Sequence, residues 1–208
     1  MNNKIVWKFT NQRELTSLEF KRYFEKKVFA TIRKYGMLGK SRVVKIEKKD
    51  GLNTRVLGFV LEKKFEVRFV LGNPNSQFGL GDNNALPTYL KLAKTKSLAH
   101  PPSTTSNKLA KSKSRSEGFS SVNLSEVAES IFKEVLEGNF SKKGLRPEEL
   151  KSPLYFLSDV EVELYAKLVG IKGVKRKRDK KIQVLFSRFM KKNPDLERNV
   201  VHAFSQLG

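Results

Sequence analysis

Cysteine is absent from the 208-residue sequence. This absence excludes disulfides, a thiolate nucleophile and any metal or cluster site with cysteine ligands. Histidine is scarce, with only His100 and His202 present, and no Ser-His-Asp, HExxH or P-loop arrangement occurs. His100 lies before two prolines without a nearby acid, and His202 stands among apolar residues of a predicted helix, where we expect it to be packed. We therefore predict no metal site and no histidine-based catalysis.

Long apolar runs are also missing, since none approaches the roughly 20 residues of a membrane-spanning helix. The first residues, MNNKIVWKF, lack the apolar core and cleavage site of a signal peptide. Together with the lack of cysteine, these features lead us to expect a cytoplasmic protein without a membrane partner.

Acidic residues are few: 21 Asp and Glu face 42 Lys and Arg, which gives a formal net charge of +21 and an isoelectric point near 10.1. A compact domain with this charge repels itself unless a polyanion neutralises it. Nucleic acid is the usual partner of such a protein. A basic surface suited to a hot-living or salt-rich host is the alternative explanation.

The first half of the chain shows a strand, Lys4–Thr10, and then a helical pattern over Glu14–Tyr35. One apolar stripe is predicted to face the core, with Gly36 ending the helix. The stripe contains Phe20, Phe24, Val28 and Ile32, joined by Leu15, Leu18 and Tyr35. The opposite face is basic and is either solvated or a contact for RNA phosphates. Its cations are Lys21, Arg22, Lys26, Lys27, Arg33 and Lys34.

The stretch Ser41–Leu71 reads locally as a three-stranded meander. Asp50-Gly51 is a hairpin signal, and the apolar runs on either side of it favour strands. The run Val56–Leu61 is also compatible with a buried helix, because short apolar runs do not distinguish the two.

A low-complexity basic loop is predicted over residues 94–118, rich in Ser, Thr, Pro and Lys. We expect it to contact RNA and to separate residues 1–93 (an N-terminal helix and an α/β region) from residues 119–208 (the helical half of the same domain). Its candidate contacts are Lys108, Lys111, Lys113 and Arg115.

Helices dominate the C-terminal half. Asn123 with Glu126, and Ser158 with Glu161, have the spacing of helix-capping pairs. Further amphipathic helices are predicted over Ile182–Met190 and Leu196–Leu207. The run Lys172–Lys181 is densely basic, and we favour a nucleic-acid contact over a solvated loop. Its candidate contacts are Lys172, Lys175, Arg176, Lys177, Arg178, Lys180 and Lys181.

Four segments in order resemble the PP-loop ATPases that thiolate tRNA. EFKRYFEKKVFATIRKYGMLGK resembles the helix before that family's nucleotide loop, and NLSEVAESIFKEVLEGN resembles its GHNxDDxA helix. KSPLYFLSDVEVELYAKLVG and NPDLERNVVHAFSQL resemble two later segments, so that the match covers over half of the chain. The resemblance implies an α/β fold, namely a reduced PP-loop (adenine-nucleotide α-hydrolase-like) sheet with flanking helices and a C-terminal helical part. It also implies that Lys48–Asn53 forms a nucleotide loop followed by a helix.

The sequence departs from the family in the motifs that bind the nucleotide and carry out catalysis. Lys48 and Lys49 would crowd a loop whose backbone must approach phosphate, and only Gly51 keeps the freedom that the loop needs. Val122, Ser125 and Glu126 stand where the family's motif has a histidine and two acids, and the catalytic cysteines have no counterpart. The residual nucleotide-binding residues would be Lys48, Lys49, Asp50, Gly51, Asn123 and Glu126.

We therefore predict a catalytically degenerate member that binds tRNA or other structured RNA. It would resemble the inactive partner subunit of the cytosolic tRNA thiolase and act beside an active thiolase subunit. No cofactor is expected, with ATP and Mg²⁺ required only by a divergent but working enzyme, which is the first alternative. A ribosome-associated or general RNA-binding protein is the second.

Overall fold

The computed structural model describes residues 4–38, 42–71, 118–138 and 145–206. These residues belong to one compact unit formed by 1–72 and 118–208. The strands are β1 (Ile5–Lys8), β2 (Glu14–Thr16), β3 (Val43–Lys48) and β4 (Glu66–Leu71). The helices are α1 (Ser17–Lys34), α2 (Leu52–Glu62), α3 (Leu124–Leu136), α4 (Pro147–Leu150), α5 (Asp159–Val169), α6 (Lys180–Lys192) and α7 (Leu196–Gln206).

Helix α1 is confirmed over Ser17–Lys34, whereas Glu14–Thr16, predicted as its first residues, forms β2. Thr16 and Glu19 form a reciprocal capping box at its start, and Gly36, with φ +53°, follows its last turn. The i, i+4 stripe Phe20–Phe24–Val28–Ile32 is fully buried. Leu18 lies outside that stripe and is 54% exposed, so its predicted place in the core is wrong.

The predicted meander is wrong, and the strand–loop–helix implied by the resemblance is confirmed. Strands β3 and β4 run parallel, with Ile46 opposite Phe69. Parallel neighbours need a crossover rather than a tight turn, and α2 is that crossover. Gly58 on α2 allows close packing against β4, because a Cβ there would lie 3.0 Å from the Phe69 ring.

The C-terminal half is helical, as predicted. The capping pairs form at α3 and α5, although Glu126 donates only its backbone N–H to Asn123. Four apolar side chains of these helices, those of Val135, Leu136, Val160 and Phe189, are 47–61% exposed.

Two hydrophobic clusters hold the unit together. The first joins α1, α2 and α5 to β3, and the second joins α3, α4, α6 and α7. The α/β class and the helical C-terminal part are thus observed, while the described residues form only two small sheets, β1–β2 and β3–β4.

The predicted basic loop lies outside the described residues except for Gly118. This includes its candidate contacts Lys108, Lys111, Lys113 and Arg115. Among the helices that the structure does describe, none combines the length and apolar character needed to cross a membrane.

Candidate functional site

The predicted nucleotide loop lies between the end of β3 at Lys48 and the start of α2 at Leu52. Gly51 is the N-cap residue, but its φ of −130° is accessible to any amino acid, and a Cβ there would meet nothing within 4 Å. Lys48 and Asp50 are exposed, and Lys49 pairs with Glu47 at 3.8 Å. Gly51 therefore does not serve here as the point of close backbone approach.

The N-terminus of α2 is covered by the chain itself. The Leu52 N–H donates to the Val174 carbonyl at 2.9 Å, and the Arg55 guanidinium donates to the Lys172 carbonyl at 2.9 Å. Gly173 lies so close to Leu52 that an added Cβ would be 2.9 Å from the Leu52 Cα. We call residues 172–179, which run between α5 and α6, the strap.

Two arginines anchor the strap to carboxylates on α3 and α5. Arg176 contacts Glu129 at 2.6 Å and Asp159 at 3.3 Å, and Arg178 contacts Glu129 at 3.4 Å as well as Asp159. All four side chains are largely buried. Pairs of this kind need both partners, because removing one leaves a buried charge. Arg176 and Arg178 thus have a structural role, and their predicted contact with RNA stays a prediction.

The other basic residues of this region remain at the surface. Lys175 pairs with Glu163 at 2.6 Å. Exposed side chains without an ion pair in the described part of the chain belong to Lys172, Lys177, Lys180 and Lys181.

Asn123 and Glu126, the other predicted nucleotide-binding residues, lie at the start of α3. Asn123 is fully buried, its Oδ1 accepts the Glu126 N–H at 3.0 Å, and its Nδ2 donates to Asp159 at 2.5 Å. Burial raises the pKa of Glu126, while the positive charges of Arg176 and Lys49 oppose that change. Both ends of the Asn123 amide are therefore occupied by the fold.

Some basic residues of α1 face solvent, and others line a cavity. Arg22, Lys26 and Arg33 are exposed and share one face of the helix. Lys27 and Lys34 instead line a cavity with Tyr23 and Tyr35. Lys21, which is half-buried, has no ion pair in the described chain.

That cavity is a groove of about 800 Å³ between α1, α4 and α7, which we call the α1–α7 groove. Five phenylalanine and tyrosine rings line it, belonging to Phe9, Tyr23, Tyr35, Tyr155 and Phe156. His202 lines it as well, and because its side chain is exposed, the prediction that it is packed is wrong. Its cationic lining comes from Arg13, Lys27, Lys34, Arg146 and Arg198.

The groove is supported by the buried carboxylate of Glu161. The Tyr23 hydroxyl donates to Glu161 at 2.7 Å, and the Lys27 and Arg198 cations lie 3.4 and 3.6 Å away. Burial lowers the pKa of Lys27, although the charge of Glu161 opposes this shift. Burial and the charge of Glu161 raise the pKa of the Tyr23 hydroxyl, so that it remains a donor at neutral pH.

Comparison with known proteins places this arrangement in a familiar fold. No protein-family model matches the sequence, and no curated protein does. Among solved structures, the U34-tRNA thiolase NcsA from Methanococcus maripaludis, determined with its [4Fe-4S] cluster, superposes with a TM-score of 0.61 over 95% of this chain and 81% of its own, at 14% identity. The chain has the fold of a tRNA thiolase.

Within that fold, the first N–H of α2 is not free for the nucleotide that the resemblance implies. A pyrophosphate needs free backbone N–H groups at a helix start, whereas the Leu52 N–H is bonded to Val174 and Gly173 lies against the Leu52 backbone. A cavity of about 400 Å³ beside the strap reaches Leu52 and Asn53 at the start of α2. Its lining also includes Asp159, Glu163 and the two strap arginines, so both charge signs are present there.

Sequence reasoning missed the α1–α7 groove. Its lining comes from five separate regions of the chain, and only Lys27 and Lys34 belong to the predicted contacts. Tyr35 directly follows Lys34, but the sequence carries no signal that brings it together with Tyr155 and Phe156.

Proposed function

We propose that this protein binds RNA, with tRNA as the first candidate, and acts in tRNA modification as a non-catalytic subunit beside an active thiolase. The observation that carries the proposal is the strap, because Gly173 and Val174 cover the first residue of the helix at which the resemblance implies a nucleotide. The proposal needs no ATP, Mg²⁺ or cluster, and the chain has no cysteine to ligate the last.

The charge distribution supports RNA as the ligand. The chain carries a formal charge of +21, and the cations Arg22, Lys26 and Arg33 face solvent along one side of α1. Lysine and arginine that neutralise phosphates release counterions, so binding of this kind weakens steeply with salt.

The test of RNA binding is the affinity for tRNA, measured by fluorescence anisotropy between about 50 and 200 mM salt. If about six to ten phosphates are contacted, the affinity should fall by about 10³ to 10⁵ over this range. A flat response would overturn the proposal.

Two triple variants locate the contact on α1. R22Q/K26Q/R33Q should weaken binding and make its salt dependence shallower, by about 0.7–0.9 in the log–log slope for each phosphate that the variant no longer neutralises. R188Q/K191Q/K192Q removes three exposed cations from α6 instead and is the matched control for total charge. Equal effects of the two variants would indicate charge alone rather than a contact on α1.

Calorimetry with ATP tests the non-catalytic role. We expect no heat of binding with or without Mg²⁺. Binding that requires Mg²⁺ and is reversed by ATP analogues would favour the divergent enzyme instead.

Co-purification tests the partner. The proposal predicts that tRNA and a thiolase subunit are recovered with this protein. Recovery of ribosomal subunits without them would favour a ribosome-associated protein.

A further inference from the structure

We infer that the α1–α7 groove binds an unstacked nucleotide of single-stranded RNA, with its base on the Tyr35–Phe156 rings and its phosphate beside Lys34 and Arg146. The inference rests on the proposed function and names the site and the RNA conformation that it would recognise.

The aromatic rings form a ready stacking surface. Tyr35 and Phe156 lie with ring centroids 5.9 Å apart and an angle of 23° between their planes, and both are only half-buried. Tyr155 packs edge-on against Phe156 at 4.8 Å and fixes its orientation. Stacking on exposed aromatic rings is the common way in which proteins hold single-stranded bases, and it tolerates any sequence.

One cation, Lys34, lies over these rings, and a second, Arg146, lines the same groove. The Lys34 ammonium lies 5.2 Å from the centroid of Tyr35 and 6.0 Å from that of Phe156. Arg146 is exposed at the start of α4, on another side of the groove. Neither cation pairs with a carboxylate in the described part of the chain, so both are available to a phosphate.

The groove retains a positive charge after its acids are counted. Glu161 is already matched by Lys27 and Arg198, and Glu148 is the one other carboxylate among the groove's described residues. The three positive charges of Lys34, Arg146 and Arg13 therefore exceed the single negative charge of Glu148.

Size and position also suit this ligand. The volume of about 800 Å³ lies within the usual range of about 300–1,000 Å³ for ligand sites. The groove shares no lining residue with the cavity beside the strap. It thus offers a nucleotide site separate from the covered start of α2.

The experiment compares tRNA, a single-stranded RNA oligonucleotide and a perfect RNA duplex of the same length, using anisotropy at fixed salt. Wild type should bind the single strand more tightly than the duplex. Y35L, which removes the ring but keeps an apolar side chain, should weaken single-strand binding by at least about fivefold and leave duplex binding unchanged.

K34Q/R146Q provides a surface variant that keeps the fold, since both residues are exposed. It should reduce the log–log salt slope for the single strand by about 0.7 for each phosphate that the variant no longer neutralises. R188Q/K191Q removes two cations outside the groove as its control. Circular dichroism on all variants verifies folding.

The outcomes separate the two proposals. If wild type binds tRNA but Y35L binds the single strand normally and K34Q/R146Q matches its control, the groove inference is overturned and the proposed function stands. If wild type binds none of the three RNAs, the proposed function itself fails. A mononucleotide that competes fully with the single strand would also overturn the inference, because it would identify a free nucleotide as the ligand.

Discussion

Glu161 is a fully buried carboxylate that links α1, α5 and α7. It accepts hydrogen bonds from the Tyr23 hydroxyl at 2.7 Å and the Ser158 N–H at 2.8 Å, and it faces the Lys27 and Arg198 cations. E161Q removes the charge that compensates both cations, and we expect it to lower the free energy of unfolding by about 2 kcal/mol.

Urea unfolding measures this change, with E163Q as the control. Glu163 is on the same helix but pairs with Lys175 at the surface, where such pairs contribute about 0–1 kcal/mol. A loss in E163Q as large as that in E161Q would contradict the assigned role of Glu161.

Glu126 is a second single residue that affects stability, and its contribution to the free energy of unfolding depends on pH. Its pKa is raised above the ordinary 4.5 by burial, so folding favours the protonated acid. That favourable contribution is present at pH below 4.5 and is lost as the pH rises through the folded-state value. E126Q does not titrate, and its stability relative to wild type should therefore increase between about pH 4 and pH 7.

Urea unfolding at both pH values measures this difference. E62Q, which removes an exposed acid from α2, controls for the general effect of one charge. A difference between E126Q and wild type that stays constant with pH would contradict the interpretation.

At the scale of elements, the contact between the strap and α2 depends on Gly173. G173A would place a Cβ 2.9 Å from the Leu52 Cα. Moving the two backbones apart to relieve this contact would weaken the hydrogen bond from the Leu52 N–H to the Val174 carbonyl. We expect a destabilisation of about 1–3 kcal/mol, together with faster hydrogen exchange of the Leu52 amide.

G51S is the matched control, because a Cβ at Gly51 meets nothing within 4 Å and serine is a favourable N-cap residue. It should change the free energy of unfolding by less than about 0.5 kcal/mol. Unfolding and hydrogen exchange are measured on both variants. An equal loss in G51S would mean that any substitution near the start of α2 is destabilising, and would contradict a specific role of the strap contact.

The elements that local patterns predicted well are those whose signals lie within one turn. The capping pairs of α3 and α5, the buried stripe of α1 and the left-handed Gly36 after it are examples. Local patterns predicted a meander in place of the β3–α2–β4 unit, because Asp50-Gly51 is a hairpin signal and α2 is short and apolar. Parallel pairing with β4 is a long-range contact that the pattern of β3 does not encode. The family resemblance predicted the helix, which the local pattern left open as an alternative.

The candidate site was harder to predict for the same reason. Arg176 and Arg178 belong to a basic run for which the sequence favoured a nucleic-acid contact. In the structure Arg176 pairs with Glu129, 47 positions away, and the two arginines pair with Asp159, 17 and 19 positions away. The groove likewise combines Tyr35 with Phe156, two residues that have no pattern in common.

At the scale of the whole molecule, a charge of +21 predicts opposite salt responses with and without RNA. Without RNA, salt screens the repulsion among the cations, so the thermal midpoint should rise from about 50 to 300 mM NaCl. With tRNA at about 100 times its Kd at low salt, binding adds about 2.7 kcal/mol. That gain should disappear as salt weakens binding.

The thermal midpoints with and without tRNA should therefore differ at low salt and converge at high salt. The reason is that the same cations are neutralised either by the RNA phosphates or by the salt ions. Mg²⁺-ATP in place of tRNA should follow the RNA-free curve, since the start of α2 is already bonded to Val174. An RNA-free midpoint that falls with salt would mean that attractive surface pairs, such as Lys63 with Glu25, outweigh the net repulsion. The polyanion would then no longer be needed to explain how the fold tolerates its charge.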